Sequence, residues 1–221
     1  MARMLMGPLE RAVIVENPDP GLDELLSSYG IEAHRMTDVP DEGGLIQKLQ
    51  ETRAHVLFKR SRVPVTRKMV ESCPDLFAVQ LCCIGDDSVD KEACADHGVL
   101  VFNDPVSNGR SVVEMAIAHL ISLSRRFYET DSVCRAGVWE KNNFERYEVK
   151  GKTLGIVGLG NIGRQVARAA DALGMKIRFF DARYAAVEVG VEFGWEASSD
   201  IDELMRSSDF VSVHLSATDQ A

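Results

Sequence analysis

Residues 151–163 read Gly151-Lys-Thr-Leu-Gly-Ile-Val-Gly-Leu-Gly-Asn-Ile-Gly163. Gly158, Gly160 and Gly163 stand in G-x-G-x-x-G spacing, directly after an apolar run, Leu154 to Val157, with the composition of a buried parallel strand. Helical periodicity follows in Ile162, Val166, Ala169, Ala170 and Leu173, stopped by Gly174. A second apolar run, Ile177 to Phe180, ends in an acid, Asp181. The glycines alone are a weak signal. Strand, glycines, helix, strand and acid in that order are a specific one.

Each part of that unit has a physical task. Gly158 lets the chain turn off the strand, Gly160 leaves room for a pyrophosphate against the backbone, and Gly163 lets the helix pack close to the sheet. Asn161 and Ile162 open the helix, whose free N–H groups and positive dipole end face the anion. Asp181, 18 residues after Gly163, is placed to accept the ribose hydroxyls of an adenosine. A carboxylate there repels a 2′-phosphate and favours NAD over NADP. Arg183, two residues on, is a guanidinium able to meet such a phosphate. The competing explanation is a glycine-rich turn in some other α/β protein.

The 221 residues are 45% hydrophobic and 27% charged, ordinary globular composition with length for one large or two small domains. The net charge of −9 and the lack of a basic block argue against nucleic acid and anionic membrane as partners. The longest apolar candidate span, Val112 to Leu123, is interrupted by Glu114 and His119. Met1 to Leu9 does not read as a signal peptide, because Gly7-Pro8 breaks its apolar patch. Five cysteines (Cys73, Cys82, Cys83, Cys94, Cys134) without a C-x-x-C pair read as reduced thiols in the cytoplasm, and no metal site is expected.

Upstream of the glycine motif, strand and helix alternate. Strands are expected at Ala12–Val15, Ile31–Met36, Val56–Phe58, Leu76–Leu81 and Val99–Phe102. Between them lie helices opened by Asp19-Pro20, marked by Leu45, Ile46 and Leu49, capped by Thr66, and running from Val89 to His97. Such alternation argues a parallel sheet with helices on both faces. The third strand ends in Lys59-Arg-Ser-Arg62, a basic loop where ligands sit in open α/β sheets, or simply a solvated one. After Asn103-Asp-Pro105 the pattern becomes one long helix from Ser107 to about Arg135, then a polar segment, Glu140 to Lys150. Beyond Asp181, Ser199 is expected to cap a short helix before a strand from Phe210 to His214.

This order, with its loops, resembles the D-isomer-specific 2-hydroxyacid dehydrogenases. The likeness is carried by Ile84-Gly-Asp-Asp-Ser-Val-Asp90, Val101-Phe-Asn-Asp-Pro105, Ser111-Val-Val-Glu114 and Ser208-Asp-Phe-Val-Ser-Val-His-Leu215. Within the family, Arg60-Ser-Arg62, Cys83-Ile-Gly85, Ser107-Asn-Gly-Arg-Ser111 and Gly137-Val-Trp139-Glu-Lys141 are most similar to the bacterial phosphoglycerate dehydrogenase subgroup. Asp86 and Ser216 depart from the pattern.

The resemblance implies a flavodoxin-like substrate domain over residues 1–104 and an NAD-binding Rossmann domain over 105–221. It implies that Arg60, Ser61 and Arg62 hold a substrate phosphate, that backbone near Gly85 holds the carboxylate, and that Asn108 hydrogen-bonds substrate or cofactor. The cofactor is expected on Gly158, Gly160, Asn161, Ile162, Gly163, Asp181 and His214, the last being the family's strand-end histidine and not its catalytic one. The catalytic Arg, Glu and His of the family are expected beyond Ala221, together with the second half of the Rossmann fold, so the chain as written is expected to be a fragment without turnover. A homodimer or tetramer is implied through the long helix. Two alternatives are a glyoxylate- or hydroxypyruvate-type 2-keto acid reductase and a non-catalytic NAD-binding interaction protein.

Overall fold

A computed structural model describes residues 8–139, 141 and 144–215. The readings made above of the extreme N-terminus, of Glu140 and Ser216, and of the chain end at Ala221 lie outside the described residues. The chain divides into two compact units between Asn108 and Gly109.

The first unit holds β1 (Arg11–Ile14), α1 (Gly21–Ser28), β2 (Glu32–Arg35), α2 (Glu42–Thr52), β3 (Val56–Lys59), α3 (Arg67–Ser72), β4 (Ala78–Leu81), α4 (Lys91–His97) and β5 (Leu100–Phe102). All strand pairs are parallel, in the order β2-β1-β3-β4-β5. This is the flavodoxin-like order, with its switch point between β1 and β3. Successive strand residues face opposite ways. Val13, Leu57 and Val79 therefore meet α2, α3 and α4 through Leu45, Leu49, Met69 and Ala93, while Ala12, Ile14, Val56 and Ala78 meet Leu26 of α1.

Caps place most helix starts near their expected positions. Thr66 accepts the Met69 N–H and Asp90 accepts the Ala93 N–H. Helix α4 thus begins at Lys91 and not at Val89, which bridges to Val65 instead. Asp19 accepts the Gly21 N–H, so α1 starts one residue later than the Asp19-Pro20 pair suggests.

The second unit holds α5 (Gly109–Arg125), α6 (Phe127–Arg135), β6 (Thr153–Val157), α7 (Asn161–Ala172), β7 (Lys176–Phe180), α8 (Tyr184–Glu192), β8 (Glu196–Ala197), α9 (Ile201–Arg206) and β9 (Phe210–Val213). Its parallel sheet runs β8-β7-β6-β9, one half of a Rossmann order, with the switch point between β6 and β9. The core lies where α5 and α7 cover β6 and β7 through Val113, Leu120, Val166, Ala170, Ile156 and Phe179.

Two expectations are corrected here. The helix expected from Ser107 to Arg135 is two helices, because Arg126 adopts φ 50° and its guanidinium bonds Glu129 and Glu145. The cap of α9 is Asp200, which accepts the Glu203 N–H at 2.7 Å. Ser199 instead donates its own N–H and hydroxyl to the Glu203 carboxylate, which reaches back past the start of the helix.

Candidate functional site

In the second unit the glycine loop links β6 to α7 at the sheet's switch point. Gly158 has φ 89°, and a Cβ there would stand 2.7 Å from the His214 carbonyl oxygen. Both the conformation and the close approach of the β9 end require glycine. A Cβ on Gly163 would overlap the Gly158 carbonyl oxygen, which fixes glycine where α7 crosses the loop. Gly160 is different. Its φ is −73°, and a Cβ there would meet only Arg183 Nη2, at 3.6 Å. Among the described residues nothing demands glycine at 160, so the open space above its Cα is space for something else.

Gly160 is also the N-cap of α7 and offers no side chain to its first turn. The first turn of α7 thus presents leading N–H groups, those of Ile162 and Gly163, toward an anion at the helix end. The Asn161 side chain is tied to Gln165, whose Nε2 donates to Asn161 Oδ1 at 3.1 Å.

Asp181 follows β7 and is buried. Its Oδ2 accepts the Leu159 N–H at 2.7 Å, which ties the acid to the glycine loop. Arg183 supplies the remaining donors: its N–H and Nε reach Oδ1 at 2.9 and 3.0 Å, and Nη2 reaches Oδ2 at 2.8 Å. The Arg183 guanidinium, helped by the backbone N–H groups of Arg183 and Leu159 and opposed by burial, holds the Asp181 carboxyl at a pKa of about 2. His214 follows β9, with its N–H on the Val157 carbonyl and its Nε2 2.9 Å from Ser212 Oγ. Burial pushes its pKa down, so the ring is neutral at pH 7.

In the first unit, Arg60, Ser61 and Arg62 follow β3 and line a cavity of about 380 Å³ with Glu16, Asn17, Thr37 and Val39. These residues come from the carboxyl ends of β1, β2 and β3, at the switch point where open α/β sheets bind ligands. Glu16, buried at the cavity wall, accepts the N–H groups of Arg62 at 2.9 Å and Val63 at 2.7 Å. Glu16 and Asn17 hold φ of 62° and 49°, strained values for non-glycine residues that cluster at ligand sites. The sequence reading missed Glu16. Its signal was an acid directly after an apolar strand, the position that drew attention to Asp181.

Lys59 does not belong to that basic loop. It is fully buried, and its Nζ donates to Ser88 Oγ at 2.6 Å. Around Gly85, Asp86 pairs with Lys91 at 3.1 Å, which neutralises the departure noted in the sequence. It is Asp87 whose carboxylate crowds Gly85, 2.9 Å from where a Cβ would lie. Cys83 donates its thiol to the Gly85 carbonyl, and burial pushes the Cys82 and Cys83 thiols up, away from nucleophilic chemistry. Asn108 is exposed in the turn before α5, where Asp104 Oδ1 accepts the N–H groups of Val106 and Ser107.

Comparison with known proteins follows this geometry. Residues 117–221 match the sequence profile of the D-isomer specific 2-hydroxyacid dehydrogenase NAD binding domain. The chain is similar to D-3-phosphoglycerate dehydrogenase 2 of Saccharomyces cerevisiae, 36% identical over 190 residues covering 86% of this chain and 39% of that protein. It is also similar to the glyoxylate reductase of Thermococcus litoralis, 32% identical over 211 residues covering 91% of this chain and 62% of that one. The chain thus spans less than two thirds of the length of either relative. Among solved structures, an acyclic imino acid reductase (Bsp5) in complex with NADPH and D-Arg superimposes with a TM-score of 0.81 at 25% identity, covering 96% of this chain and 66% of that one. Along most of its length the chain is thus similar to D-isomer specific 2-hydroxyacid dehydrogenases, and residues 117–221 match the NAD binding domain of that family.

Proposed function

We propose that this chain is part of an NAD-dependent D-3-phosphoglycerate dehydrogenase. The reaction is oxidation of the C2 hydroxyl of 3-phosphoglycerate. NAD held on the glycine loop would supply the hydride acceptor, the hydroxyl proton would pass to a base, and the product, 3-phosphohydroxypyruvate, would enter serine synthesis. The carrying observation is the polar cavity at the β1/β3 switch point, with Arg60 and Arg62 on its wall. Guanidinium groups bind phosphate through two parallel N–H donors, and Ser61 adds a hydroxyl. Glu16 fixes the loop by taking the backbone N–H groups of Arg62 and Val63, so the phosphate is left to the side chains. In this reading the Gly85 loop takes the substrate carboxylate, Asn108 hydrogen-bonds substrate or cofactor, and His214 lines the cofactor site. The proton transfer is assigned to no residue of this sequence.

The test is titration of the chain with 3-phosphoglycerate and with D-glycerate. Replacing Arg60 and Arg62 together by Ala should weaken the phosphorylated ligand at least tenfold and the unphosphorylated one little, since hydrogen bonds to charged groups contribute about 1.5–3 kcal/mol. Equal affinity of wild type and variant for 3-phosphoglycerate would remove the phosphate site. A second reading, reduction of an unphosphorylated 2-keto acid, is favoured by the likeness to a glyoxylate reductase. It predicts that both ligands bind alike. The protein in this account is a cytoplasmic homodimer or tetramer, the assembly supported by exposed Met115, Leu123, Phe127 and Tyr128 on α5 and α6 and the compartment by five cysteines without a C-x-x-C pair.

A further inference from the structure

The adenosine end of the cofactor site is already occupied by the protein itself. An ionised carboxylate has about four acceptor positions. In Asp181 all four are filled, one by the Leu159 N–H and three by donors of Arg183. A ribose reaching Asp181 finds no free acceptor there until Arg183 withdraws. The two partners differ sharply in freedom: the Asp181 side chain is 4% exposed and that of Arg183 is 66% exposed. The acid is fixed and the guanidinium can move. Arg183 also reaches toward the glycine loop, its Nη2 lying 3.6 Å from where a Gly160 Cβ would stand. It is itself the N-cap of α8 and provides no side-chain cap to that helix, whose Ala186 N–H bonds the Arg183 carbonyl instead.

We infer that Arg183 is a movable counter-ion that sets the choice of dinucleotide at this site, admitting 2′-phosphorylated adenosine as well as the unphosphorylated form. When the ribose carries hydroxyls, Arg183 releases Asp181 and the acid accepts them. When the ribose carries a 2′-phosphate, the guanidinium exchanges one anion for another, and its charge offsets the repulsion from Asp181. A lone acid at this position would discriminate strongly. The Asp181–Arg183 pair discriminates weakly, with NAD keeping the modest advantage that a buried acid confers. The inference rests on the dinucleotide reading of the glycine loop and concerns a property of that site which the reading leaves open.

The experiment compares ADP-ribose with 2′-phospho-ADP-ribose by calorimetric titration of the wild-type chain, Arg183→Ala and Arg183→Lys. Wild type should bind both within about tenfold of each other. Arg183→Ala should shift the two ligands in opposite directions. ADP-ribose tightens several-fold because Asp181 no longer has to be vacated, and the 2′-phosphorylated ligand weakens at least tenfold because its cation is gone. Arg183→Lys should recover part of the phosphate affinity, since an ammonium serves as a point charge without the fork. Shifts of both ligands in the same direction, or in neither, overturn the inference while leaving the cofactor site intact. Binding of neither ligand by the wild-type chain overturns the cofactor reading and the inference with it.

Discussion

Lys59 is the residue whose setting is least expected from its type. It ends β3 on the same face as Leu57, because strand residues two apart point the same way, and both are fully buried. A sequence reader assigns a terminal lysine beside Arg60 and Arg62 to the solvated loop. Only the packing of Ser88 over the strand end shows that the ammonium is enclosed. Burial lowers its pKa from the ordinary 10.5, with Glu16, Cys83 and Asp87 acting the other way. The sign of the consequence follows from proton linkage. A folded-state pKa below the unfolded one means that unfolding takes up a proton, so stability rises as pH climbs through the folded value toward 10.5. Lys59→Met should therefore stabilise the chain at pH 7 by on the order of 1 kcal/mol and abolish the rise above neutrality. Urea midpoints of both forms at pH 7 and pH 10 measure this. A clear loss of stability at pH 7 would mean that the Ser88 bond outweighs the cost of burial.

At the scale of elements, alternation of apolar runs with capped helices was enough to place β1 to β5, β6, α7, β7 and β9. The runs are short and mostly apolar, β2 (Glu32–Arg35) being the polar exception. Three features were not legible. The break at Arg126 carries no glycine or proline and depends on ion pairs to Glu129 and Glu145, the latter remote in sequence. Helix α8, with its valines and Gly190, lacks a clean helical stripe. It forms because Gly190 lets it approach the ring of Phe179 more closely than any side chain would permit. The two-residue strand β8 is too short to leave a pattern. Helices α5 and α6 carry the element-level prediction. Met115, Leu123, Phe127 and Tyr128 are each more than half exposed, more apolar surface than an isolated helix pair leaves to water. Sedimentation of the chain should give a dimer or larger species, and Leu123→Glu with Phe127→Glu should give a monomer. A monomer from the wild-type chain at micromolar concentration contradicts the proposed assembly.

At the scale of the whole molecule, both sheets are parallel, and in each a candidate ligand loop, Arg60 to Arg62 after β3 and Gly158 to Gly163 after β6, lies at the switch point beyond the carboxyl ends of the strands. The sequence shows strand and helix alternating but not the order in which strands pair. That order follows from right-handed crossovers and short connections, which act on the assembled chain and leave no local mark. The glycine loop was legible because its requirements are local: a positive φ at Gly158 and close approach at Gly163. The closure of Asp181 by Arg183 was not, because two-residue spacing shows that a cation is near but not that it folds back on the acid.

Gly160 offers the most direct measurement, because the described residues leave its Cβ position open. NAD is titrated into the wild-type chain and into Gly160→Ala, with the circular dichroism and thermal midpoint of both recorded alongside. The variant should fold as the wild type does, its new methyl meeting only the mobile Arg183 guanidinium. Its NAD affinity should nonetheless fall at least tenfold, since the methyl stands where the pyrophosphate must approach the backbone. A Gly160→Ala chain that folds normally and binds NAD as tightly as the wild type would contradict the placement of the dinucleotide on this loop.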